Sequence, residues 1–125
     1  MNKAKLIIRI LFGLMLVIFG LNKFIAFMPM PPMPEAGGEF MRALVKSGYL
    51  LVIVAIVEVI TGVLLLANKY QSFALVVVFP VILNAFLFHL FLDLPGIGGA
   101  AFAIIMNIFL LFANKESYNS LFKIK

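Results

Sequence analysis

Five side chains in this sequence could carry chemistry: Lys23, Glu58, Asn84, His89 and Asn107. A lysine beside a glutamate can form an ion pair or hand over a proton. A histidine can hold or pass one, and asparagines fix geometry with both donors and acceptors. All five lie in or at the end of long apolar runs. A charge at mid-bilayer costs about 2.5–3.5 kcal/mol on insertion scales, so ionisable groups there need a partner and usually have a function. Two readings follow. One is a proton-handling or ligand head-group site; the other is structural glue, in which an ion pair and amide bonds fix helix register. Arg9 reads as a cation snorkelling to lipid phosphates, and His89 also reads as an interfacial donor with Asp93 one turn on. Met28, Met30 and Met33 form a Met-x-Met-x-x-Met run whose thioethers suit Cu(I), with Met41 and His89 as further ligands. The intervening prolines favour an apolar loop on the membrane rim, and the expectation is no metal site.

The composition names the solvent around these groups. Of 125 residues, 65% are hydrophobic and 12% charged, against about 45–50% and about 25% in soluble domains. A small domain buries only about 60–70% of its surface, so no water-soluble fold hides this excess. The mean hydropathy of +1.20 agrees, and the chain reads as an integral membrane protein. With no cysteine there is no disulfide, no redox C-x-x-C and no thiolate or iron–sulfur ligand set. One histidine cannot supply a bis-histidine haem. No autonomous catalytic constellation is legible, which leaves open whether the chain is an enzyme. The net charge of +5 does not indicate nucleic acid, because the basic residues sit at segment ends.

Four apolar runs cover residues 6–27, 48–67, 72–92 and 97–113. A helix needs about 20 apolar residues to cross the hydrocarbon, and barrel strands would alternate rather than run on. The expected fold is an all-α four-helix membrane bundle forming a single domain over 1–125, with lipid as its first partner. Lys3, Lys5, Arg9, Lys69, Lys115, Lys123 and Lys125 share one side, against Lys23, Arg42 and Lys46 on the other. The positive-inside rule therefore puts both termini in the cytoplasm. The first run is too long for a signal peptide and reads as a retained helix. The outer connection begins extended through Met28–Pro34, since proline disfavours helix before it. Glu35-Ala-Gly-Gly is expected to break the chain, and residues 39–46 to form a short amphipathic interfacial helix.

Small and polar residues mark helix contacts in lipid. Arg9, Gly13, Gly20 and Lys23 share a stripe on the first helix. Gly96, Ala100, Ala103 and Asn107 share one on the fourth, and Glu58 sits one turn from Gly62 beside Thr61. By helical rise, Glu58, Asn84 and Asn107 lie within roughly 3 Å of their midpoints, and Lys23 and His89 roughly 10 Å outward. Side chains lean toward their own helix N-terminus. Lys23 and His89 then lean inward while Glu58 and Asn107 lean outward to meet them. One polar cluster of Lys23, Glu58, Asn84, His89 and Asn107 in the outer half is the expectation.

Arg9-x-x-x-Gly13, the Gly20-Leu-Asn-Lys23 that closes the first helix, and Glu58 followed by Thr61-Gly-Val-Leu-Leu-Leu66 resemble the DoxX-like membrane family. The resemblance takes in the Pro/Met loop and the Leu83-Asn-Ala-Phe-Leu-Phe-His-Leu-Phe91 stretch. It implies a multi-pass four-helix protein of the bacterial inner membrane, with Arg9, Lys23 and Glu58 at the family's polar positions. The family takes its name from a small quinol oxidase subunit and has relatives tied to thiosulfate:quinone oxidoreduction. It therefore implies an accessory subunit of a quinone-linked redox assembly, with a quinone as ligand, other redox subunits as partners, and no haem or iron–sulfur cluster of its own. The competing readings are a small proton-coupled transporter acting as a homo-oligomer, specifically a dimer, and a structural membrane module.

Overall fold

The computed structural model describes residues 2–25 and 32–123. Helices α1 (Asn2–Ile25), α2 (Glu35–Lys46), α3 (Leu50–Ala67), α4 (Gln71–Leu92) and α5 (Ile97–Ala113) follow in order, with 3-10 segments at Leu94–Gly96 and Lys115–Phe122. The described residues contain no strand. Four helical stretches, Lys3–Ile25, Leu50–Ala67, Gln71–Leu92 and Leu94–Ala113, are long and apolar enough to cross a membrane. In hydrocarbon every backbone N–H and C=O must be satisfied within its segment, and uninterrupted helices do that. The all-α membrane bundle is therefore the fold. Residues 26 and 27, expected in the first helix, lie outside the described residues.

The helix ends have local causes. Asn68 takes the left-handed conformation (φ 56) at the end of α3, and the N–H groups of Asn68 and Lys69 return to the carbonyls of Leu65 and Leu64. Asparagine tolerates that conformation better than most residues. Ser47 Oγ accepts from the N–H of Leu50 at 3.1 Å, satisfying a donor that the first turn of α3 leaves free. At the far end of α5, Tyr118 donates its hydroxyl to the carbonyl of Ser72 at 2.8 Å, and Asn114 donates to Gln71 Oε1 at 3.1 Å. These bonds tie the final 3-10 segment to the start of α4. Burial holds the Tyr118 phenol above its ordinary titration range, and the bond to Ser72 offsets part of that shift.

The outer helix departs from expectation. Residues 35–38 do not break the chain; they form the first turn of α2. Pro34 is extended (ψ 157), and its carbonyl accepts the first helical bond from Gly38 N–H at 3.0 Å. Glu35 in the first turn complements the positive end of the helix. Gly37 is buried, and a Cβ there would stand 2.7 Å from the Leu92 carbonyl. Its glycine therefore serves close approach to α4 rather than a turn.

α1 packs most extensively along α3, and α4 along α5; α3 with α4 and α1 with α5 complete the bundle. The α1–α3 crossing is a backbone contact. A Cβ on Gly62 would meet Val17 Cγ2 at 2.6 Å and the Gly13 carbonyl at 2.7 Å; one on Gly20 would meet Val59 Cγ2 at 2.7 Å. The fully buried apolar residues include Phe12, Leu16, Leu65, Leu75, Val78, Met106 and Leu110. They lie mostly toward the side that carries the termini.

Gly62→Ala must push α1 from α3 against backbone atoms. A loss of about 1–3 kcal/mol is expected, the usual cost of overpacking a close-fitted site. Gly98→Ala, with nothing within 4 Å of its Cβ, serves as the control. Thermal unfolding in mild detergent should show the first variant melting lower and the second unchanged. Equal melting would show that the glycine crossing does not set the α1–α3 distance.

Candidate functional site

The α1–α3 crossing delivers Lys23 to Glu58. Gly20 allows the last turns of α1 to lie against Ala55 and Val59, which flank Glu58 on α3. Lys23 then folds back along its own helix. Its Nζ lies 3.4 Å from the Phe19 carbonyl and 2.7 Å from Glu58 Oε1. The Glu58 side chain is 8% exposed and that of Lys23 is 25% exposed. The contact is an ion pair at charge-assisted hydrogen-bonding distance. A quarter-exposed lysine thus stands over a buried carboxylate, whose two oxygens together can accept more than one hydrogen bond. Such a pair can hold the polar head of an amphiphile or accept a proton from it.

The other expected members of the cluster go elsewhere. Asn107 is fully buried, but its Nδ2 donates to the Leu75 carbonyl at 3.3 Å, across the α4–α5 contact. Its Oδ1 has no partner among the described residues. His89 pairs with Asp93, Nδ1 to Oδ2 at 3.0 Å, at the outer end of α4. Asn84 lies on an exposed face of α4. Asn107 packs toward α4, His89 toward Asp93 and Asn84 toward an exposed face, and groups on different helix faces do not meet whatever their depth. Of the five, only Lys23 and Glu58 are brought into contact by the described geometry.

Arg9 also departs from expectation. Rather than reaching lipid phosphate, it turns inward and donates from Nη1 to the Leu65 carbonyl in the last turn of α3. The Leu65 carbonyl already accepts from the Asn68 N–H, and its second lone pair, at the partially negative end of the helix, attracts a cation. In the Met run, Met28 and Met30 lie outside the described residues, and Met33 lies beside α2 in a groove with Met41. No group of three or more His, Cys, Asp or Glu side chains that could hold a metal occurs among the described residues.

Sequence reasoning gave too little weight to Asp93, which is 4% exposed. Its carboxylate orients His89, and a Cβ on Gly96 would stand 2.6 Å from its Oδ2. The spacing His89–Asp93, one helical turn, was the available signal. The carbonyl acceptors of Leu65 and Leu75 had no signal at all, because every residue has a carbonyl.

The fold and the pair define a class: a small multi-pass helical membrane protein with one intramembrane ion pair bridging its first two spans. The family model DoxX matches residues 4–90, which takes in α1 through most of α4 with both members of the pair. The chain belongs to the DoxX family. No curated protein and no solved structure gives a match.

The two halves of the pair should respond unequally to deletion. Glu58→Gln leaves Lys23 free to snorkel toward the nearer membrane surface. Lys23→Met strands a buried carboxylate, and breaking a buried pair that way costs about 3–5 kcal/mol. Unfolding measured in detergent or bicelles should rank Lys23→Met well below Glu58→Gln, with the double variant recovering part of the loss. Equal, small effects of the two single changes would show that the ion pair contributes nothing to the fold.

Proposed function

We propose that the chain is a small accessory subunit of a quinone-linked redox assembly in a bacterial inner membrane, and that Lys23 and Glu58 receive the quinone head. The observation that carries this reading is the pair itself: a quarter-exposed lysine side chain whose Nζ lies 2.7 Å from an oxygen of the buried Glu58 carboxylate. A quinone carbonyl accepts a hydrogen bond from the ammonium, and a quinol hydroxyl donates one to the free lone pairs of Glu58. The ring and its tail are apolar and enter from lipid. The exposed side chains of Phe19 and Phe24 stand on the same end of α1 as Lys23 and offer them an apolar wall. Membership of the DoxX family supports the reading further.

In this arrangement the chain positions a molecule and handles a proton, while electrons pass to or from a cofactor in a partner subunit. The ligand inventory fits that division of labour, with no cysteine and a single histidine in the sequence.

The test is affinity purification of the full chain in mild detergent, with mass spectrometry of co-purifying proteins and extracted small molecules. Redox subunits and a quinone should accompany the native chain, and Glu58→Gln should retain the subunits while losing at least tenfold of the quinone. A native chain that purifies alone and without quinone overturns the proposal, as does full quinone occupancy after Glu58→Gln.

A further inference from the structure

The opposite end of the bundle carries a second amphiphilic site, built from residues that the Lys23–Glu58 reading does not use. A cavity of about 510 Å³ opens between the start of α1 and the end of α5. Phe109 and Phe112 give it an apolar wall; Lys5, Asn114, Lys115 and Ser117 give it a polar one. Phe112 is 70% exposed, so the apolar wall continues into the lipid-facing surface of the bundle. Neither Lys5 nor Lys115 makes an ion pair or hydrogen bond among the described residues. Two cations therefore line one cavity with no ion-pair partner among the described residues.

We infer that this cavity binds the phosphodiester head group of an anionic phospholipid. Glu116 also lines it, so the charged lining sums to a single positive charge, matched to a monoanionic phosphodiester rather than to a free phosphate dianion. The two ammonium groups and the Ser117 hydroxyl are hydrogen-bond donors for phosphate oxygens. The phenylalanine wall takes the glycerol backbone and the first methylenes of the acyl chains. A soluble anion would leave that wall uncovered. The lysine asymmetry places this end of the bundle at the cytoplasmic leaflet, where anionic lipids gather and basic pockets between helices recognise their head groups.

Native mass spectrometry of the full chain released from nanodiscs of mixed phosphatidylglycerol and phosphatidylcholine tests this site. One phosphatidylglycerol should stay bound per chain. The double variant Lys5→Gln/Lys115→Gln should weaken its binding about 30-fold, and Lys3→Gln/Lys69→Gln, which removes equal charge from the same side, should leave it unchanged. Lys115 is exposed, so Lys115→Gln alone, with about fivefold weakening, carries the test should the double variant not purify. Inorganic phosphate at millimolar concentration should not displace the lipid. Equal loss in both double variants would mean diffuse surface attraction and overturn the site. Undiminished binding in the pocket variants would overturn it too, and displacement by inorganic phosphate would overturn its assignment to a lipid.

Discussion

The contact between the backbones of α1 and α3 governs the rest of the molecule. Lipid tails are as apolar as leucine, so helices in a bilayer gain little by hiding apolar surface from it and associate through close packing and polar contacts. Gly13 and Gly62 face one another so closely that a Cβ on Gly62 would overlap Val17 and the Gly13 carbonyl. That approach fixes the separation and rotation of the two helices at once. Lys23 and Glu58 can then meet at 2.7 Å. Dispersion contacts at the glycines and Coulomb attraction at the pair act on the same two helices, and each needs the geometry that the other supports.

Elsewhere several polar side chains each find a backbone carbonyl on another element. Arg9 donates to Leu65, Asn107 to Leu75 and Tyr118 to Ser72. These carbonyls already serve or flank helical ladders, and a second lone pair remains open on each oxygen. In a medium without water that is a stable way to place a donor, because the acceptor is satisfied whether or not the side chain is present. The Lys23–Glu58 pair differs in kind. Its acceptor is a side chain that has no other ion-pair partner among the described residues, so the pair constrains both of its helices.

Much of this was legible in the sequence, and the parts that were not share one physical cause. Apolar run lengths gave the spans, because bilayer thickness sets helix length. The Lys23–Glu58 contact followed from the lean of side chains toward their own N-termini, a property of single helices. Asn84, His89 and Asn107 were placed by depth alone, and depth is one of two coordinates. The other, rotation about the helix axis, depends on which neighbour packs where: α5 lies against α4, which turns Asn107 toward Leu75. The start of α2 was missed for a related reason. Glycine at positions 37 and 38 signals a break on propensity grounds, yet Gly37 is required where α2 touches α4, and only the packed structure shows that contact.

The distribution of packing along the bundle bears on function. Phe12, Leu65, Leu75, Val78 and Leu110 are inaccessible and lie toward the end that carries the termini. They make that half a close-packed apolar core. Toward the other end the interior contains a buried glutamate paired with a quarter-exposed lysine and a buried aspartate holding His89, under the amphipathic α2. A bundle that needed only to persist in lipid would be better served by apolar packing throughout, since replacing a buried ion pair with well-packed apolar residues is often neutral or stabilising. The charges in that half are the ones on which the proposed quinone site rests. The well-packed half can act as the rigid base that holds α1 and α3 in register, so that the less completely packed half can present its charges to a molecule arriving from the bilayer.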